Sequence, residues 1–190
     1  MASIVSAVQC AANFVGLDAI FEYTNGDGTL CRTNCGQAAA ATFLTHYGRL
    51  RADAANAHRI MATLERQHPP NVLGGVFGTS RRRVTRICAS FGVHLREVPG
   101  EAALRSSLLR REPVIVMLGV SAGRWWRFDL PGGHWMVAYA CDANGVYLTN
   151  WGKMGWDDFR HCWGRMVPRL IGMWGRGLAA RTSEAQPAGR

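Results

Sequence analysis

Apolar side chains at Ile4, Val5, Val8, Ala12, Val15 and Ile20 recur at a roughly helical spacing, which predicts a helix over 2–22 leaning on the body of the protein. Thr24-Asn25-Gly26-Asp27-Gly28-Thr29 then reads as a loop. From Cys35 the run Gly36-Gln37-Ala38-Ala39-Ala40-Ala41-Thr42-Phe43-Leu44 combines high helix propensity with small side chains. It predicts a helix packed tightly inside the fold, with Asn34 at its N-cap. A further helix is expected from about 51 to 67, stopped by Pro69-Pro70 and followed by a Gly-rich loop over 73–78. Thr79 or Ser80 can cap the next one, in which Val84, Ile87, Cys88 and Phe91 mark one buried face and Arg81, Arg82, Arg83 and Arg86 the other.

The pattern changes after Gly92. Residues 93–98 alternate as a strand does, 101–111 read as a helix with Leu104, Leu108 and Leu109 inward, and Pro113 to Leu118 is one continuous apolar run. Gly133 to Cys141 and Val146 to Asn150 are strand-like and joined by Asp142-Ala143-Asn144-Gly145, which fits a hairpin. A short helix from about Asp157 to Trp163 and an apolar segment over 166–174 complete the body, and the tail 176–190 is expected to fray as a flexible basic segment. Helices first and strands afterwards indicate an α+β fold whose two layers meet along a cleft. All seven tryptophans lie after residue 124, as core or wall of the strand-rich half.

With 190 residues the chain is expected to form one domain over 1–175, its core spanning 29–174. The longest apolar runs are too short to cross a bilayer, and Met1 to Phe21 lacks the basic start of a secretory signal, so a cytoplasmic protein is expected. Twenty-two cations against 13 acidic residues give a formal charge of +9, and every cation but Lys153 is arginine. Such a balance suits an acidic partner, whether nucleic acid, a phospholipid surface or an acidic polypeptide, or a solvated surface. The six cysteines show no disulfide framework. Cys31, Cys35 and the His161-Cys162 pair have spacings poorly suited to zinc, and no metal site is expected.

Cys35, His134 and Asn150 stand where nucleophilic catalysis would need them. Cys35 opens a helix, where unpaired N–H groups and the helix dipole favour a thiolate. His134 follows Gly132-Gly133 at a strand end, with room for a substrate backbone beside it, and could take the thiol proton and return it to a leaving group. Asn150 follows 16 positions later across the hairpin, where its side-chain oxygen could fix the imidazole tautomer.

The segment Asn34-Cys35-Gly36-Gln37-Ala38-Ala39-Ala40-Ala41 with Tyr47-Gly48, and Gly133-His134-Trp135-Met136-Val137 leading through Asp142 and Gly145-Val146-Tyr147 to Asn150-Trp151-Gly152, resembles the papain-like cysteine peptidases. Within them it is most similar to the bacterial bacteriocin-processing, C39-like group, over roughly residues 29–165. The resemblance implies a papain-like α+β fold, a helical part carrying the nucleophile Cys35 and a twisted antiparallel sheet carrying His134 and Asn150. It implies amide hydrolysis of a peptide or protein, through a thioacyl-enzyme and with no cofactor.

Two positions depart from that pattern: Asn150 followed by Trp151-Gly152 is closer to papain itself than to the C39 group, which more often places Asp there, and the second concerns the oxyanion hole. The family usually places an oxyanion-hole glutamine shortly before the nucleophile, and no glutamine lies between Gln9 and Cys35. Loss of such a donor typically costs ~10²–10³ in rate. Asn25, Thr29 and Asn34 are the replacements considered, whereas Gln37 is expected to point along the helix. Gly133, Trp125, Trp126, Trp135 and Trp151 are expected to line the substrate cleft, and the run from Ser121 to Leu130 to wall it. The same triad could serve deamidation or transglutaminase-like acyl transfer. From another class, the arginines with Trp125-Trp126 could form a binding module with the peptidase architecture but little activity, nucleic acid being the less favoured ligand.

Overall fold

The computed structural model describes residues 1–6, 14–30, 33–75, 78–120, 132–164 and 175–181. Its N-terminal part departs from the helix expected over 2–22. Strand β1 (Ser3–Ser6) pairs antiparallel with β3 (Ala19–Glu22), while β2 (Val15–Gly16) joins the main sheet. The spacing misled because only Ile20 of the apolar residues in β1 and β3 is buried, and Ile4 is exposed. Alternation over four residues is too short to distinguish from a helical repeat.

Helix α1 (Cys35–His46) is buried from Cys35 to Leu44. Its alanines allow close approach by sheet and helices, and burying Phe43 and Leu44 contributes ~1.5–3 kcal/mol each. At Gly36 a Cβ would lie 2.6 Å from the Thr79 Cβ, so only glycine lets the start of α1 meet the segment before α3. Gln37 does not run along the helix. It is fully buried, donating to the His68 carbonyl at 2.7 Å and accepting from the Thr79 hydroxyl at 2.8 Å, because an interior amide needs both partners.

Helix α2 (Ala57–Gln67) starts later than expected, and α3 (Arg81–Ser90) is capped by Ser80, whose hydroxyl accepts from the Arg83 N–H. Val84, Ile87 and Cys88 form its buried face. β4 (Leu95–Pro99) leads into α4 (Gly100–Leu109), where Leu104 and Leu108 are buried but Leu109 is 63% exposed, because it belongs to the last turn and faces away from the sheet.

β5 (Val114–Val120), β6 (Gly132–Cys141), β7 (Gly145–Leu148) and β8 (Gly152–Gly155) follow as an antiparallel succession, then α5 (Trp156–Gly164) and β9 (Arg176–Ala180). The sheet order is β4-β9-β5-β6-β7-β8, with β2 on β6. β9 corrects the expectation of a frayed tail from 176: Leu178, Ala179 and Ala180 are buried between β4 and β5. Gly177 lies so close to Val114 and the Ile115 backbone that a side chain would collide there. Small residues read as a flexible tail here mark a tight interior strand. The segments 166–174 and 182–190, also assigned from sequence, lie outside the described residues.

Side chains alternate across β6. Trp135, Val137 and Tyr139 pack with α1 in one core, and Met136 and Ala138 pack with α4 and α5 in the other. The β6–β7 turn is built on buried Asp142, which accepts from the Asn144 and Gly145 N–H groups and the Tyr147 hydroxyl and pairs with Lys153 at 2.6 Å.

Candidate active site

The loop before α1 is organised by one carboxylate. Glu65 of α2 is buried, and it accepts from the Thr29 N–H and hydroxyl, the Leu30 N–H and the Asn34 amide. Burial alone would raise its pKa, but the bonds from Thr29, Asn34 and Leu30 together hold it below the usual carboxylate value. The Asn34 amide spends both N–H donors, one on Glu65 at 2.6 Å and one on the Asn25 carbonyl at 3.0 Å. Asn34 occupies the N-cap position without a side-chain capping bond. The Thr29 hydroxyl is likewise committed to Glu65. Both side chains therefore hold the loop in shape and do not present a donor to a substrate carbonyl in this conformation. The side-chain oxygen of Asn25 is buried with no partner among the described residues.

Cys35 is 7% exposed at the first position of α1. Burial pushes its thiol above the ordinary value, outweighing the N–H groups of Trp135, Gly36 and Cys35 itself that face the sulfur. Burial therefore opposes the thiolate that the helix start favours. The Trp135 N–H at the sulfur has a second meaning. It brings the beginning of β6, and with it the His134 backbone, onto the N-terminus of α1.

His134 pairs with Leu118 across the β5–β6 ladder and is half-buried. Desolvation lowers its pKa to about 4, so the ring is neutral at pH 7, the form a general base requires. Among the described residues the ring has no hydrogen-bond partner, neither the Cys35 thiol nor Asn150. Asn150 stands just past the β6–β7 ladder. Thr149 closes that ladder on Val137, donating its N–H to the carbonyl and accepting the Val137 N–H on its hydroxyl. Asn150 then takes a left-handed φ of 62° and turns the chain into β8. Its side chain is exposed, and its N–H faces Glu22, where it favours the ionised carboxylate.

Of the residues expected to line a cleft, Gly133 is half-exposed beside His134 and Trp151 is half-buried next to Asn150. Trp135 is instead 1% exposed, an internal anchor whose indole donates to the Thr79 carbonyl at 2.7 Å. An odd-numbered position on β6 faces α1, which explains its burial. Trp125, Trp126 and the 121–130 wall lie outside the described residues, as do Cys10 and Cys31. Cys35 and the His161-Cys162 pair are carried by helices on opposite faces of the sheet. Several arginines are already neutralised: Arg96 and Arg110 share Glu112, Arg105 and Arg160 share Glu101, and Arg81 and Arg176 share Glu97. No helix among the described residues is long and apolar enough to cross a membrane.

Sequence reasoning misses Glu22 and Glu65, and gives Thr79 only as a candidate helix cap. Glu22 falls within the helix expected over 2–22, and the partners of Glu65 and Thr79 lie 31 to 56 residues away, with no local signal to find them.

No family model and no curated protein matches the sequence. Solved structures do match. The peptidase domain of Streptococcus ComA, described as a bifunctional ABC transporter involved in a quorum-sensing pathway, superposes with a TM-score of 0.53 at 18% identity over 78% of this chain and 92% of that one. A C39-like peptidase from Bacillus anthracis, described as putative, gives 0.53 at 12% identity over 78% and 88%. The α+β architecture, with helix α1 laid on an antiparallel sheet, is therefore the fold of the C39 peptidase domains.

Proposed function

We propose that this protein is a cysteine peptidase, with Cys35 as nucleophile, His134 as general base and acid, and Asn150 as the residue that orients the imidazole. The observation that supports this most is the junction of α1 and β6, where the Trp135 N–H meets the Cys35 sulfur and His134 is the neighbouring residue. The shared C39 peptidase fold supports it at the level of architecture.

The resting site holds a neutral thiol and a neutral imidazole. In the first step His134 takes the Cys35 proton as the sulfur attacks the substrate carbonyl carbon, forming the C–S bond. The tetrahedral oxyanion collapses, the C–N bond breaks, and the imidazolium returns the proton to the leaving amine. Water, deprotonated by His134, then cleaves the thioester, releasing a carboxylic acid and restoring the thiol. With Thr29 and Asn34 committed to Glu65, backbone N–H groups at the start of α1 are the oxyanion donors we assign.

The test is incubation of the full chain and its Cys35→Ala variant with a peptide library, read by mass spectrometry. Fragments that require Cys35 support hydrolysis. A gain of about one dalton, or joined chains, would transfer the same residues to deamidation or acyl transfer. Products unaffected by Cys35→Ala would reject the assignment.

A further inference from the structure

Glu22 carries an unusual combination of burial and vacancy. It is 3% exposed, yet one of its carboxylate oxygens, Oε1, has no hydrogen-bond partner among the described residues. The carboxyl is faced by the Asn150 N–H and borders a cavity of about 400 Å³. Ser6, Tyr139, Leu148, Asn150 and Trp151 share the lining. Glu22 is the one formally charged side chain among the described residues that line it. A buried acceptor left unpaired costs free energy comparable to a lost hydrogen bond, so the fold maintains it against its own stability.

The cavity walls limit what could complete this acceptor. Two aromatic side chains and a leucine surround the space, which suits an apolar stem, and aromatic faces attract cations. The volume falls within the ~300–1,000 Å³ range of ligand pockets and accommodates one long side chain. Burial raises the Glu22 pKa to about 7, so the empty cavity holds a partly protonated carboxyl that a bound cation would ionise, whereas a second carboxylate would oppose that ionisation and a purely apolar group would leave Oε1 unpaired. A stem ending in an ammonium or guanidinium group satisfies every feature. Asn150 at the rim connects this space to the residues assigned to catalysis.

We infer that this cavity is a recognition subsite for a lysine or arginine side chain of the peptide substrate, with the Glu22 carboxylate as its anionic floor. The subsite role rests on the peptidase reading, whereas binding of the cationic side chain can be measured without turnover.

The probes are N-acetyl-lysine N-methylamide and N-acetyl-arginine N-methylamide, with the norleucine analogue as an uncharged control of matching stem. Each is titrated into the full chain carrying Cys35→Ala, following the backbone N–H of Ser6 and Asn150 and the indole of Trp151 by NMR. Saturable shifts with the cationic probes, about 10- to 100-fold tighter than with norleucine, are expected. Glu22→Gln should remove that preference. If Glu22→Gln does not fold, Ser6→Arg, which places a guanidinium at the exposed rim, should compete and weaken the cationic probes instead. Equal affinity for norleucine, or cationic binding that withstands the folded variant, overturns the proposal. Binding that persists when no peptide is cleaved would leave the subsite standing and remove the peptidase reading; cleavage with no cationic binding would do the reverse.

Discussion

The indole N–H of Trp135 donates to the carbonyl oxygen of Thr79 at 2.7 Å, and the Thr79 hydroxyl in turn donates to the Gln37 side chain at 2.8 Å. Through this relay β6, the segment before α3, and α1 are held together at the level of Cys35. Trp135→Phe keeps the ring but leaves the Thr79 carbonyl unpaired in the interior. It is expected to destabilise the protein by about 1–3 kcal/mol in chemical denaturation, and to weaken peptide cleavage by loosening the start of β6. An unchanged denaturation midpoint would show that the relay contributes nothing.

Cys35 should behave as a buried thiol and not as a preformed thiolate. Because burial raises its pKa, its alkylation by iodoacetamide at neutral pH should be slower than that of a free thiol, whose pKa is ~8.5, and should keep rising with pH beyond that value. Residue-resolved mass spectrometry measures this directly. Rapid alkylation that levels off below pH 7 would reveal a stable thiolate and contradict the neutral pair.

The pH response of stability has a defined sign at His134. Its folded pKa, about 4, lies below the ordinary value, so the neutral ring contributes stability that is complete above pH 6.5 and lost as the pH falls through 4. His46, also lowered to about 4, acts in the same direction. With partial solvent screening of these half-buried rings, a loss of about 1–3 kcal/mol between pH 6.5 and 4 is expected in urea denaturation. His134→Gln should reduce it. Cleavage should retain its general base down to a similar pH.

Glu65→Ala should disorganise the approach to the nucleophile. Four donors from Thr29, Leu30 and Asn34 would lose their acceptor, costing at least about 2–3 kcal/mol. Hydrogen exchange should show the N–H groups of Thr29, Leu30 and Asn34 opening before α2 does. Protection equal to the parent would mean that the loop is held by other contacts.

Truncation separates the two parts of the C-terminal segment. A chain ending at Gly175 lacks β9 and exposes the facing edges of β4 and β5, so it should be insoluble or unfolded. A chain ending at Arg181 keeps every described strand and should retain the parent's circular dichroism and melting temperature. Equal stability of the two chains would exclude β9 from the sheet.

The helix at Cys35 and the face of α3 were readable because each pattern repeats within one element: small side chains from 36 to 41, and Val84, Ile87 and Cys88 at helical spacing. The β6–β7 hairpin was readable because Asp142 and Gly145 form their turn locally. Strands β1 and β3 were not, since four residues carry too little periodicity to separate strand from helix. β9 escaped for a different reason, because glycine and alanine show no apolar signal until one sees how little room β4 and β5 leave between them.

The same division runs through the site. Local sequence determined that Cys35 begins a helix and that His134 lies near the start of the strand whose hairpin partner ends near Asn150, because backbone propensity and turn chemistry act over a few residues. Tertiary structure decided the rest. It raised the thiol's pKa by burying it, lowered His134 by desolvation, tied Asn34 and Thr29 to Glu65, and set Glu22 beside Asn150 with one oxygen unpaired among the described residues. Charge states and hydrogen-bond partners depend on which distant segments exclude water from a group, and that exclusion exists only once the chain has folded.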